Sequence, residues 1–294
     1  MEMLNIQVLP TVATERKTRS VVFTGDDFGF SHGVNGAVIE AHERGVLTRA
    51  SLMVVGEAFD EAVALARSHP QLGVGLHVVL VCGRSVLPPK EIPHLVDRAG
   101  QFPSQSVRTG LRYQFSPHAR RELRLEIYAQ LEKFRRTGLQ PSHIDGHLHM
   151  HMHPVVLRIL SELAPQFGIG EIRLPSEELN LALRLDRSHR AAKVIWSLLF
   201  KRLRRYGERC LRSTGIEYAD RVYGFLASGR ITEDYLLGLI PQIHANRIEI
   251  YSHPAIEVEG EPLNGPPGAG QVEFAALVSE RVSNALAMSG FTVK

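Results

Sequence analysis

Short β-branched runs alternate with amphipathic stretches along most of this chain, the pattern of repeated βα units feeding a parallel sheet. Residues 20–24, 50–55, 73–79, 142–145, 171–174, 222–226 and 247–252 read as strands. Helices are predicted over 34–44 (stopped by Gly45), 60–68 (before the turn His69-Pro70), 117–138, 154–167, 232–245 and about 272–289. Ser116-Pro117 puts proline at the first helical position of the third helix, where its missing N–H does no harm. Leu123, Ile127, Leu131 and Phe134 then fall on one face. Residues 83–115, rich in Pro and Gly, predict a long excursion. About seven strands, mostly separated by helices, imply an α/β fold. The leading architecture is a distorted parallel βα barrel, complete or incomplete, ahead of an open doubly wound sheet. In both, chemistry gathers where strands end and loops begin.

Length and composition narrow the function. The chain has 294 residues, 44% of them hydrophobic, with a net charge of +3, enough apolar surface for a large core and too little charge for a disordered chain. We read 1–294 as a single domain with a basic helical excursion at about 180–215. A charge this small predicts no nucleic-acid partner unless a basic surface is local. Cys82 and Cys210 stand far apart and form no Cys-x-x-Cys pair, which excludes a disulfide scaffold and suits a reducing cytoplasm. The start has no apolar run of signal-peptide length. Stretches such as 194–200 fall well short of the roughly 20 residues that cross a bilayer. The expectation is a soluble cytoplasmic protein whose membrane contact, at the inner membrane, is peripheral.

Residues able to do chemistry cluster at predicted strand ends. Asp26-Asp27 follows the first strand within Gly25-Asp26-Asp27-Phe28-Gly29; adjacent carboxylates are costly unless a positive group sits beside them. The pair reads either as a capped turn or as one metal-holding carboxylate beside a base. His77 ends the third strand after Gly73 and Gly75. The most constraining motif is His143-Ile-Asp145-Gly-His147-Leu-His149-Met-His151-Met-His153-Pro154, with five histidines in eleven residues. If extended, it would place Asp145, His147, His149, His151 and His153 on one face, opposite Leu148, Met150 and Met152. Imidazole is the commonest metal ligand, and aspartate either ligates or orients a ligating ring. Not all five rings can bind one ion; two rings and a carboxylate leave the open position that catalysis needs. His253, in Tyr251-Ser252-His253-Pro254, is a turn histidine or a general acid. Arg173, ending another strand, holds a site carboxylate or forms a surface pair. The Pro/Gly-rich run 260–270 suits a mobile loop over the site.

Residues 184–212 contain ten Lys/Arg against Asp186 and Glu208. Ile195, Leu198, Leu199, Leu203 and Tyr206 recur at helical spacing. The plainest expectation is a helix packed on the core through that stripe. The functional alternatives are a lid, or an interfacial helix presenting Lys201, Arg202, Arg204 and Arg205 to anionic lipid.

Five segments together, TGDDFGFSHGVN (24–35), GVLTRASLMV (45–54), VGLHVVL (74–80), HIDGHLHMHMHP (143–154) and YSHP (251–254), resemble the YdjC/ChbG-like carbohydrate deacetylases in family order. Residues 86–102 and the Arg-rich segment resemble the hopanoid-biosynthesis-associated, HpnK-like branch. The resemblance implies a distorted βα barrel of the polysaccharide-deacetylase type. It implies one divalent ion (Zn, Mg, Mn, Fe or Co) on Asp27, His77 and His147, with Asp26 as catalytic base. His253, or else His149, would protonate the leaving amine. His149, His151, Asp145 and Arg173 are the further site candidates. The implied substrate is an N-acetylglucosamine unit, in this branch lipid-linked, and a homodimer is compatible with it. Gly25 departs from the alanine usual in the family. The rivals are an amidohydrolase-type barrel, which would carry His-x-His at its first strand, and a non-catalytic metal- or lipid-binding protein.

Overall fold

The computed structural model describes residues 19–294; residues 1–18, which carry most of the start read above for a signal peptide, lie outside the described residues. The chain runs β1 (Arg19–Phe28), α1 (His32–Arg44), β2 (Arg49–Leu52), α2 (Phe59–Ser68), β3 (Gly73–Val78), α3 (Ser106–Phe115), α4 (Pro117–Arg135) and β4 (Ile144–Gly146). After a 3-10 segment, His147–Met152, come α5 (Pro154–Leu163), α6 (Leu179–Leu185), α7 (Arg190–Leu211), β5 (Arg221–Tyr223) and α8 (Glu233–Leu239). Then follow β6 (Arg247–Ser252), α9 (Ala269–Leu277), α10 (Glu280–Met288) and β7 (Phe291–Val293).

The strands form one parallel sheet ordered β4-β3-β2-β1-β6-β5, with β7 beside the start of β1. Helices cover its outer face, so Val21, Phe23, Leu76, Val78, Ile248 and Ile250 are buried. A parallel sheet with both faces covered reads as such near-continuous apolar runs. The sheet curls into a half-barrel. Between its edge strands, residues 171–176 make only isolated bridges, Ile172 to Ile144 and Ser176 to Val222.

Local chemistry explains most boundaries. Ser31 caps α1 by accepting from the Val34 N–H, and Ser116 caps α4 by accepting from Ala119, with Pro117 at the first turn as expected. Four expectations fail. Residues 171–174 form no strand, because they bridge two edges instead of pairing along one; β7 is the seventh strand. The excursion 83–115 contains α3, whose polar and apolar residues hid its period. The single helix expected over 272–289 is two, because Ser279 breaks it and caps α10 through the Arg281 and Val282 N–H groups. The predicted helix 154–167 forms, its last turn as 3-10, whereas the one predicted over 232–245 ends early, in a 3-10 turn at Gln242.

The basic excursion is α6 and α7. Its apolar stripe does not seat it on the core: Ile195, Leu198 and Leu199 are exposed, while Leu203 and Tyr206 are half-buried. The buried stripe of α7 is Lys193, Phe200, Arg204, Gly207 and Leu211. Lys193 pairs with Asp186 at 2.7 Å, and Arg204 pairs with Glu208 at 2.8 Å. Arg204 also donates to the Leu174 and Ala219 carbonyls, so it cannot face a lipid surface as the sequence suggested. Among the described residues, no helix is long and apolar enough to cross a membrane.

Candidate active site

The C-terminal ends of β1, β3, β4 and β6 converge on one cavity of about 990 Å³, lined among others by Asp26, Asp27, His77, His147, His149 and His253. Alternation along a strand should send Asp26 and Asp27 to opposite faces. A bulge prevents this: three steps from Gly25 to Phe28 on β1 match two steps from Ala50 to Leu52 on β2, and Asp27 sits at φ 63. A left-handed aspartate is strained by about 1 kcal/mol or more, and the bulge re-aims its carboxylate. Both acids thus enter the cavity.

Asp27 is the hub. Its Oδ1 lies 2.9 Å from His147 Nδ1 and 3.1 Å from His77 Nε2. The other nitrogen of His77 lies 2.7 Å from Asp145 Oδ1, which fixes the ring and leaves Nε2 toward Asp27, the usual carboxylate–histidine arrangement of a metal ligand. Burial would raise the Asp27 carboxyl, but His147 and His77 hold it well below the usual carboxylate range. Burial would lower His77, yet Asp145 and Asp27 lift it to about 10.

Beneath this hub lies Arg173, 1% exposed. It grips Asp26 through both oxygens at 2.6 and 2.8 Å, and reaches Asp145 at 2.7 Å and Glu249 at 2.8 Å. Its guanidinium also lies 4.5 Å from the centre of the Tyr251 ring. Ser51 donates to Asp145 at 2.6 Å, and its hydroxyl lies 3.3 Å from Asp26. Despite burial, Arg173 and His77 hold the Asp145 carboxyl well below its ordinary range. The surface-pair alternative for Arg173 is excluded by this burial.

Two donor triads each bring three ligand atoms within 4.8 Å of one another: Asp27, His77 and His147, and Asp26, His77 and Asp145. The second already shares its carboxylates with Arg173, a resident cation. The first faces the cavity with no cationic side chain on Asp27 other than the rings, and two imidazoles with one carboxylate suit a divalent ion. Three buried carboxylates, Asp26, Asp145 and Glu249, surround the Arg173 guanidinium, and a fourth, Asp27, lies on the His77 and His147 rings. That excess of negative charge favours a divalent cation at the cavity end.

The expected one-faced array of histidines is not formed. Only 144–146 is extended; beyond it Leu148 and His149 take left-handed φ of 48 and 57. The rings therefore scatter. His151 is buried against the Arg173 carbonyl at 3.0 Å, and His153 caps α5 through the Val155 N–H. His149 lies 2.8 Å from the Tyr251 hydroxyl, walled by Phe200 and Phe225. Met150 and Met152 enter the core, whereas Leu148 turns out to solvent.

The two candidate acids differ in charge. Burial, then His151 and Arg173, push His149 well below the ordinary histidine value, so it is neutral. Burial also opposes charge on His253, but Glu273 and the two cavity aspartates raise it to about 9. Glu273, itself buried, accepts the His253 N–H at 2.6 Å, and its carboxylate lies 3.8 Å from the ring. Of the two rings, His253 is the one whose surroundings favour the protonated form.

Sequence reasoning passed over Ser51, Glu249, Glu273 and Asn264. Glu249 had a signal, a lone charge between Ile248 and Ile250 in an apolar strand. Asn264 had none beyond its place in the Pro/Gly-rich loop. It donates to Asp27 Oδ2 at 3.1 Å.

The fold and site define a parallel βα half-barrel whose strand ends gather buried aspartates and imidazoles around a cavity. Residues 20–288 match the YdjC-like protein family, and the chain belongs to that family. It is 38% identical over 205 residues to a carbohydrate deacetylase of Geobacillus stearothermophilus, covering 69% of this chain and 74% of that protein. It is 43% identical over 155 residues to a carbohydrate deacetylase of Brevibacillus brevis, covering 53% of this chain and 59% of that protein. A chitooligosaccharide deacetylase of Escherichia fergusonii is 36% identical over 172 residues, 58% of this chain and 60% of its own length. The chain thus spans about three-fifths of the length of two of these three relatives. Its fold resembles that of a putative cellobiose-phosphate cleavage protein of Enterococcus faecalis, with a TM-score of 0.70 at 24% identity over 94% of this chain and 97% of that one.

Proposed function

We propose that this protein is a metal-dependent N-deacetylase that hydrolyses the acetamide of an N-acetylglucosamine unit, here one carried by a hopanoid glycolipid. The observation carrying the reading is the Asp27 carboxylate set between His77 and His147 at the floor of the cavity, with Asp26 alongside. The carbohydrate deacetylase relatives supply the substrate class, and the resemblance of 86–102 and the Arg-rich segment supplies the lipid.

Asp27, His77 and His147 would hold the ion. When bound, a divalent ion supplies a Lewis acid that polarises an amide carbonyl and acidifies water. The remaining work belongs to side chains. Asp26 accepts the proton of the water that attacks the acyl carbon; Arg173 occupies one lone pair of each of its oxygens and leaves others for the cavity. His253, protonated and held by Glu273, delivers a proton to the leaving nitrogen, so the amine departs neutral and acetate remains. Asp145 keeps His77 in the required tautomer.

The test is metal content of purified wild type, His77→Ala and His147→Ala after exposure to each candidate ion. One ion per wild-type chain and a large loss in both variants are expected, since either change leaves two ligands. Wild-type metal affinity in either variant removes that histidine from the set.

A further inference from the structure

Large apolar side chains are left in water on two helices that reach the catalytic cavity. On α3, Val107, Leu111 and Phe115 stand at i, i+4 and i+8 on the face opposite buried Thr109 and Tyr113, and Phe115 is 74% exposed. On α7, Ile195 is 64% exposed, with Leu198 and Leu199 beside it. Leu148, thrown outward by the left-handed turn, sits between, and the 3-10 segment that carries it packs against both helices. Val107, Leu111, Leu148 and Trp196 all line the cavity, so the apolar rim is continuous with the site.

Residues 184–212, which include α7, and the helix α3 carry positive charge left unpaired among the described residues. The only acids among 184–212, Asp186 and Glu208, are taken by buried Lys193 and Arg204. That leaves eight exposed bases, and among the described residues none of these eight has a carboxylate within 4.0 Å. Arg108 and Arg112 add to them from α3, which has no acid.

We propose that the outer faces of α3 and α7 dock on an anionic lipid leaflet, with the cavity mouth between them opening at the headgroups. Helices that mix apolar residues with Lys and Arg sit in such an interface by burying the former and meeting lipid charge with the latter. A second copy of the chain fits poorly, because a two-fold contact would set this positive face against itself. The inference rests on the proposed glycolipid reading only for what the docked site then hydrolyses; docking is read out without substrate.

The experiment is co-sedimentation of the full chain with phosphatidylcholine vesicles, with and without about a third phosphatidylglycerol. Two triple variants accompany wild type: Phe115→Ser, Ile195→Ser, Leu199→Ser, and Lys201→Glu, Arg202→Glu, Arg205→Glu. Arg204 is spared because it is buried. Wild type should bind anionic vesicles at least 10-fold better than neutral ones and leave them as salt rises. Both variants should lose at least 10-fold of that binding, with unchanged thermal midpoints and unchanged acetate release from a short water-soluble N-acetylglucosaminyl substrate. No binding by wild type at low salt overturns the proposal, as does full binding by a folded apolar variant. So does a wild-type dimer in sedimentation velocity that the apolar variant dissolves while vesicles bind neither protein; the face would then belong to a second copy. Vesicle binding without acetate release would reject the proposed activity and leave the docking face standing.

Discussion

Arg173 and Asp26 meet through two hydrogen bonds, 2.6 and 2.8 Å long, between side chains that are both buried. A planar fork matched to a carboxylate fixes direction as well as charge. Arg173→Lys keeps the charge and loses the fork. We expect about a 10²-fold fall in kcat, the scale of an ångström-sized misplacement of a reacting group, with KM little changed. Arg173→Met leaves the buried acids uncompensated and should destabilise the fold by about 3–5 kcal/mol. Chemical denaturation and steady-state kinetics check both. A fully active Arg173→Lys enzyme would mean that orientation of Asp26 is not needed.

As the proposed proton donor, His253 should set an alkaline limit. Its pKa stands near 9, above the ordinary histidine value of 6.5, against its burial and because of Glu273 and the cavity aspartates. The acid form is required, so kcat/KM should fall as pH rises through about 9. The raised value also means that the stability His253 contributes is complete below about 6.5 and is lost as pH rises through about 9. Glu273→Gln removes one negative partner and should move the alkaline limb to lower pH. A pH–rate profile of the two proteins decides it; an unshifted limb would assign the limb to another group.

Asn264 reaches from the Pro/Gly-rich loop to the free oxygen of Asp27. Hydrogen bonds to a ligand's other atoms commonly change metal affinity 10–100-fold. Asn264→Ala should therefore weaken metal binding about 10-fold in a titration monitored by calorimetry, with the fold intact. Wild-type affinity would show that the loop touches Asp27 without tuning it.

The sequence made the sheet and the site's members legible for physical reasons. Parallel strands buried on both faces announce themselves as apolar runs, and strand-end acids and imidazoles stand out against them. Asp26, Asp27, His77 and His147 were found in that way, and the structure brings them together. What was hidden depended on backbone geometry or distant partners. Nothing in His147-Leu148-His149 shows two consecutive left-handed residues, so an extended array was expected where a tight turn stands. Nor does the sequence show that Gly75 makes room for His143, whose ring lies 2.4 Å from where a Cβ would be. Amphipathic spacing in α7 pointed to packing by its leucines, yet two ion pairs let Lys193 and Arg204 take the buried stripe instead.

The proposed chemistry is amide hydrolysis at Asp26 beside an ion held by Asp27, His77 and His147. Its most direct measurement is acetate release from an N-acetylglucosaminyl substrate, with metal content, for wild type and Asp26→Asn. One ion per chain is expected in both proteins, with acetate and free amine in equal amounts from wild type and a loss of about 10²–10⁴-fold in the variant. Near-normal turnover by metal-loaded Asp26→Asn, or undiminished turnover by wild type stripped of metal, would contradict it.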